Sequence, residues 1–268
     1  MSEASERARA TWSAGNWDEV SKILPPVGQT VLDYAGVEAG MDVIDVGCGS
    51  GGTVAIPAAQ RGATVTGADV TPELFDDARR RAADAGVEVT WVEADAAAIP
   101  LPDASFDRVM STFGHMFAPD QQGAANELVR LCRPGGMIVC AAWTPEGFNG
   151  RMFITTGKHM PPPPPGFTPP VAWGTEARWE ELVGSQGIEL EFHREILDIE
   201  HEAAAGPFFD EFAGNFGPLV IARGALGDDG FAALRADLIA LYEEGNEATD
   251  GSTRIPAEYL VAIGRKPA

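Results

Sequence analysis

A chain of 268 residues, 45% of them hydrophobic, can bury one sizeable core and is short for two domains. Its 40 acidic residues against 19 Lys and Arg leave a formal net charge of −21, a surface that repels phosphate backbones and anionic lipid and argues against nucleic acid as substrate. No apolar run approaches the length of a bilayer span, which argues against membrane insertion, and three scattered cysteines with no apolar leader in MSEASERARATW suit a reducing cytoplasm.

Residues 1–37 read as an N-terminal helical cap segment, anchored by Trp12, Trp17, Ile23, Leu24, Val31 and Leu32 around Pro25-Pro26. From residue 38 strands alternate with helices. MDVIDVG is a strand, and GGTVAIPAAQRG is a helix that Pro57 should bend. ATVTGADV is the second strand. TPELFDDARRRAADAG is a helix with Thr71 as N-cap, Pro72 at its first position and Gly86 at its end. VEVTWVEAD, FDRVMSTF and GMIVCAAW follow as strands three to five, with the helix QQGAANELVRLCRPGG before the fifth. Such alternation builds a doubly wound parallel sheet that binds ligands at the strands' C-terminal ends.

After Trp143 the rhythm changes. EGFNGRMFITTGKHM reads as a helix, PPPPPGFTPP as stiff polyproline-like chain, and TEARWEELVGSQG as a short helix. IELEFHREILDIE alternates like a strand, with a slip between Phe192 and Ile196. GPFFDEFAGNFGPLVIARGAL and DDGFAALRADLIALYEEGN read as two helices, and RIPAEYLVAIGRK as a last strand. The expectation is one α/β domain over 1–268: the cap segment, a cofactor-binding core over 38–145, and an acceptor-side cap region with the final strands over 146–268.

The chemistry concentrates in VIDVGCGSGG, residues 43–52. Gly47, Gly49 and Gly52 satisfy GxGxxG, and Asp69 follows Gly47 by 22 residues, as in a dinucleotide fingerprint. Asp45 discriminates between ligands. The pyrophosphate of NAD would sit at the following helix N-terminus and would meet its carboxylate, whereas S-adenosylmethionine carries an ammonium and a sulfonium that the carboxylate favours. Asp95 places another acid at the end of the third strand. An NAD(P)-dependent oxidoreductase is the alternative reading, but it leaves Asp45 and IPLPDASFD unexplained.

Taken in order, DVGCGSGG, GADVTPELF, EADAAAIPLPDASFDRVMS and ELVRLCRPGG resemble the class I S-adenosylmethionine-dependent methyltransferases, over about residues 35 to 145. The branch they are most similar to is typified by ubiquinone/menaquinone biosynthesis methyltransferases. The resemblance implies a Rossmann-like doubly wound sheet of seven strands, mostly parallel. RIPAEYLVAIGRK would be its antiparallel last strand beside the fifth, with N-terminal helices and a helical cap insertion added. It implies S-adenosylmethionine as cofactor and S-adenosylhomocysteine as product. Asp45 would lie near the methionine end, with Gly47 and Gly49 contacting it through backbone. Asp69 would accept hydrogen bonds from both ribose hydroxyls, or else punctuate the next helix. Val70 would pack on the adenine. Asp95, unless it is a solvated loop acid, would bond the exocyclic amine, with the Ala96 N–H on the ring. Ser111 would present backbone to the methionine moiety.

Transfer from a sulfonium is an in-line displacement that the protein promotes by alignment and exclusion of water. His115, in STFGHMFAPD, is the candidate general base; packing in a loop is the other reading of it. His193 and His201 read as structural or solvated, and His159 as part of a lid. No HExxH or other clustered ligand spacing occurs, so a metal-independent reaction is expected. Trp12, Trp17, Phe113, Phe117, Trp143, Phe208 and Phe212 are the candidate acceptor-binding residues, although the stripe containing Phe208, Phe209, Phe212 and Phe216 also fits a plain core. The expected partner is a small, largely apolar or aromatic acceptor, with O-methylation ahead of C-methylation. A non-catalytic S-adenosylmethionine-binding regulator is a further alternative.

Overall fold

The computed structural model describes residues 3–164 and 166–268. Pro165, within the expected polyproline stretch, lies outside the described residues, as do Met1 and Ser2. Three helices open the chain: α1 (Glu3–Trp12), α2 (Trp17–Val20) and α3 (Pro25–Ala35). The core follows as β1 (Asp42–Val46), α4 (Ala55–Gln60), β2 (Thr64–Asp69), α5 (Phe75–Asp84), β3 (Val89–Glu93), β4 (Phe106–Thr112), α6 (Gln121–Leu131) and β5 (Cys132–Trp143). Beyond it lie α7 (Phe148–His159), α8 (Glu176–Leu182), β6 (Glu189–His201), α9 (Ala205–Asn215), α10 (Gly217–Gly245) and β7 (Thr253–Arg265).

The seven strands form one sheet in the order β3-β2-β1-β4-β5-β7-β6. β1 to β5 run parallel, and β7 is antiparallel to both of its neighbours, as expected for the last strand. β1 sits between β2 and β4, and its residues 43–46 are buried. A strand covered on both faces needs an apolar run, which VI-V supplies with Asp45 as the exception. The strand order reverses between β1 and β4. Loops leaving their C-terminal ends therefore diverge and open a crevice at that point.

Helices cover the sheet with apolar faces. α3 buries Val27, Val31, Leu32 and Ala35 at helical spacing and stops at Gly36 in the left-handed conformation. α6 begins on the side chain of Asp120, which accepts the N–H of Gly123 at 2.8 Å. α1 differs, because Ser5 is its one buried residue. Polar contacts hold it over the sheet tips: Ser5 bonds Asp95, and Arg9 bridges Glu73 and Glu93. Among the described residues no helix is long and apolar enough to cross a membrane.

Four local expectations need correction. Pro57 does not bend a helix, because α4 starts only at Ala55 and Pro57 falls in the first turn, where no backbone donor is required. Thr71 provides no side-chain cap; a 3-10 turn over Pro72–Leu74 precedes α5. β6 pairs with β7 from Glu189 to His201 without a bulge, so the slip is a change of buried face: Ile196 is 56% exposed while Leu197 and Ile199 are buried. The first of the two late helices is itself broken before Pro218, giving α9 and α10, and the expected second break is a kink at Gly227 (φ 66°).

Candidate active site

Two adjoining cavities occupy the crevice. The first, about 80 Å³, lies above the tips of β1, β2 and β3. Its floor is the glycine turn. At Gly47 (φ 71°) a side chain would place Cβ 2.6 Å from the Cα of Gly114, so the turns after β1 and β4 meet backbone to backbone. The third fingerprint glycine behaves differently. A Cβ on Gly52 would meet only the tip of Arg81 at 3.2 Å, whereas Gly51 adopts φ 74° and abuts Trp91. The glycine pattern the turn requires is therefore 47, 49 and 51, not the GxGxxG of a dinucleotide site, where the third glycine serves helix packing.

Asp69 is fixed by two backbone donors, the N–H of Gly49 on Oδ2 and of Thr71 on Oδ1, both at 2.8 Å. Its carboxyl lines the cavity with lone pairs to spare. Enclosure raises its pKa, and the two N–H donors oppose that rise. Val70, Asp95 and Ala96 line the same wall. Asp95 accepts the Ala97 N–H at 2.9 Å and the Ser5 hydroxyl. The roof is α1, through Ser5, Ala8 and Trp12, together with Trp17. Six of the eight expected cofactor residues thus face one space: Gly47, Gly49, Asp69, Val70, Asp95 and Ala96.

The other two do not line it. Asp45 is buried beneath the glycine turn and accepts the Ala55 N–H at 3.1 Å. Burial raises its pKa to about 7, the Ala55 bond opposes the rise, and the charge of Asp69 adds to it. Ser111 is also buried: its hydroxyl donates to the Val46 carbonyl at 2.5 Å and accepts the His115 N–H at 3.0 Å. It straps β1 to the turn after β4, and the rim itself is formed by Thr112, Phe113 and Gly114. Burial, then Asp69 and Asp45, push the Cys48 thiol up, which keeps it protonated.

The second cavity, about 50 Å³, lies beyond four rings that line both: Trp12, Trp17, Phe113 and Phe117. Trp12 meets Trp17 and Phe117 edge to face, at 5.5 and 4.7 Å. Phe113 has φ 64°, a conformation costing an L-residue about 1–2 kcal/mol. Its ring is held by stacking on Trp143 at 3.8 Å. All seven expected acceptor residues line this second cavity, Phe208 and Phe212 from α9 included. Phe153 of α7, also among the aromatics the sequence offers for an acceptor, lines it too, whereas Asn149 and Met152 of α7 and Tyr242 of α10 were missed, because pairwise packing of distant helices leaves no local signal. Among the described lining residues none carries a charge.

His115 is displaced from its expected role. Its ring is fully buried, lines neither cavity, and packs on Trp173 and Trp179 at 4.9 and 5.5 Å. Neither ring nitrogen has a hydrogen-bond partner, and burial lowers its pKa to about 3. A neutral imidazole facing away from both cavities cannot take a proton from an acceptor.

The family described as "Methyltransferase domain" matches residues 43–136. An uncharacterized protein of Mycobacterium tuberculosis is 38% identical over 96% of this chain and 93% of its own. The demethylmenaquinone methyltransferase of Thermus thermophilus is 39% identical over 42% of this chain and 52% of its own. The solved phosphoethanolamine N-methyltransferase 2 of Haemonchus contortus, in complex with phosphomonomethylethanolamine and S-adenosylhomocysteine, superposes with a TM-score of 0.57 at 16% identity. That match covers 91% of this chain and 53% of the other. The chain belongs to the S-adenosylmethionine-dependent methyltransferases.

Two outcomes follow from the buried groups. With its pKa raised from 3.8 to about 7, Asp45 favours folding as the neutral acid; that contribution is complete below about pH 4 and is lost as pH rises through 7. Thermal melts of Asp45→Asn against wild type should therefore coincide near pH 4 and separate by several degrees in the variant's favour at pH 8. Parallel curves would show that Asp45 is not the titrating acid. His115→Phe, which removes two unpartnered nitrogens, should melt no lower than wild type and retain turnover within about threefold; a hundredfold loss of turnover would restore the general base.

Proposed function

We propose that the first cavity holds the cofactor of this methyltransferase and that the second takes a small, largely apolar or aromatic acceptor, methylated on oxygen. The arrangement fits the cofactor on three counts. Asp69 offers two carboxylate oxygens, each with capacity beyond its one backbone donor, toward ribose hydroxyls. Val70 and Ala96 supply an apolar wall for adenine. Thr112 carries a hydroxyl that is buried, unpartnered and on the cavity wall, at the end directed to the methionine moiety. Asp45, behind the glycine turn, favours the ammonium through a short low-dielectric path. When bound, the cofactor supplies a methyl group on a sulfonium leaving group.

The chain's residues then act by placement. Trp12, Trp17, Phe113 and Phe117 stand between the cavities and present ring faces and edges to whatever crosses there, an environment that favours a sulfonium. The apolar walls of the second cavity exclude water from the line of transfer. No base among the described residues lines that cavity, so the acceptor enters with its oxygen already ionised, its proton having passed to solvent. A phenol or enol meets that requirement, and an alkyl alcohol does not. C-methylation of a phenolic ring uses the same cavity and is distinguished by the position of the new methyl in the product. α1 lies across the entrance with Ser5 on Asp95, so ligand entry exchanges that bond for one to adenine.

The observation that carries this reading is the pair of cavities, acid-lined and apolar, that share an aromatic partition. Its test uses two variants, with S-adenosylhomocysteine binding followed by calorimetry and turnover by release of that product from a phenolic acceptor library. Asp69→Ala should weaken S-adenosylhomocysteine at least tenfold. Ile199→Phe, which fills the second cavity from β6, should leave that affinity within twofold and abolish turnover. If Ile199→Phe turns over normally, the acceptor binds elsewhere.

A further inference from the structure

Asn149 is the unexplained group of the second cavity. It is 7% exposed, and its Nδ2 makes no hydrogen bond within the protein although the residue lines the cavity. A buried amide left without a partner is a cost that folded proteins rarely accept without reason. The position is also rigid. Asn149 is the second residue of α7, whose start is clamped against the end of β5: a Cβ on Gly150 would lie 2.6 Å from the Pro145 carbonyl oxygen, and one on Gly147 would lie 2.7 Å from Thr144 Oγ1. The backbone that carries the amide is therefore held in place beside the cavity.

A second donor lines the same cavity. The Tyr242 hydroxyl is buried, and its single contact is the soft sulfur of Met152 at 3.9 Å. Edge-to-face contacts with Phe148 at 4.8 Å and Phe209 at 5.3 Å fix its ring. Burial pushes its pKa up, so the hydroxyl keeps its proton. Both groups therefore offer hydrogens into an otherwise apolar space. Neither lines the cofactor cavity.

We infer that Asn149 is a specificity-determining residue: its side-chain amide, assisted by the Tyr242 hydroxyl, holds an oxygen of the acceptor that has lone pairs to offer. The inference rests on the second cavity being the acceptor site. It narrows the acceptor class to apolar ring molecules bearing a carbonyl or phenolic oxygen away from the transferred methyl. Amines and ammonium compounds are disfavoured, since they would bring hydrogens to a cavity that already has hydrogens unmatched.

The test uses full-length enzyme saturated with S-adenosylhomocysteine, and quenching of the cavity tryptophans by naphthalene, 1-tetralone and 1-naphthylmethylamine. In wild type the ketone should bind about tenfold tighter than naphthalene, equivalent to about 1.4 kcal/mol, and the amine weaker than either. Asn149→Leu should bring ketone and hydrocarbon within about twofold, by loss of ketone affinity alone. Tyr242→Phe, a deletion of one hydroxyl, should narrow the gap by about twofold to threefold and serves where the leucine variant does not fold. An unchanged gap in both variants, or no gap in wild type, overturns the assignment and leaves the amide with a resident water. If naphthalene binds and Ile199→Phe abolishes its binding, the cavity reading stands whatever the ketone does. If naphthalene fails to bind wild type, or binds Ile199→Phe unchanged, both fall.

Discussion

The structure around the crevice depends on a carboxylic acid buried where a parallel sheet should hold only hydrocarbon. Asp45 occupies the next-to-last position of the central strand, under a turn tight enough to bring Gly47 and Gly114 into backbone contact. Its one hydrogen bond, from Ala55, ties it to the start of α4. A single neutral donor does not compensate a buried charge, so burial pushes the carboxyl up to about 7, where protonated and ionised forms are comparable near neutral pH. Anything cationic arriving above the turn recovers that energy by ionising it. An anionic pyrophosphate would deepen the penalty. The same acid therefore couples the electrostatics of the crevice to the stability of the strand beneath it.

How much of this was legible depends on the range of the interaction. The strand-helix alternation, the glycine turn and the acids ending β2 and β3 are written in contiguous residues, and the sheet gathers them at one edge because parallel strands end there. Asp69 and Asp95 were readable on that ground, and Val70 and Ala96 through the resemblance that those motifs carry. His115 was not, because a residue just after a strand can point to the crevice or away from it. That choice is made by a 3-10 turn strapped through the Ser111 hydroxyl and by two tryptophans some sixty residues downstream. Gly51 escaped notice because a familiar spacing drew attention to Gly52. Asn149 and Tyr242 lie 93 residues apart in the chain, on α7 and α10, and nothing near either signals that they share a cavity.

The two cavities divide the energetics between them. The first is built on backbone donors and carboxylates at strand tips, rigid elements that need no reorganisation to present a fixed field. The second shares Trp12, Trp17, Phe113 and Phe117 with the first and takes Trp143 and Ile199 from the sheet, while its residues from α7, α9 and α10 do not line the first. Swapping residues in those helices changes the second cavity without touching the first. The family match over residues 43–136 accordingly contains the glycine turn, Asp69 and Asp95, whereas α7, α9 and α10 lie outside it.

Local costs occur around both cavities and beneath them. Phe113 accepts a left-handed backbone, Thr112 and Asn149 hold unpartnered polar atoms in buried positions, and Asp45 is a buried acid with one donor. At the opposite edge of the sheet Ala104 also takes a left-handed backbone (φ 51°), but the charged groups there are paired: Arg133 meets Asp42 and Asp107, and Lys266 donates to the carbonyls of Val129 and Cys132. A fold stabilised uniformly would have repaired these sites with glycine at 113, leucine at 149 and valine at 45. Each such repair removes a group that faces, or acts upon, one of the two cavities. Left-handed backbone at Ala104 and unpartnered nitrogens on His115 and Trp173 lie outside both cavities, so strain alone does not mark the site. What sets the crevice apart is that an acid, a hydroxyl and an amide left with few or no partners surround the same pair of cavities.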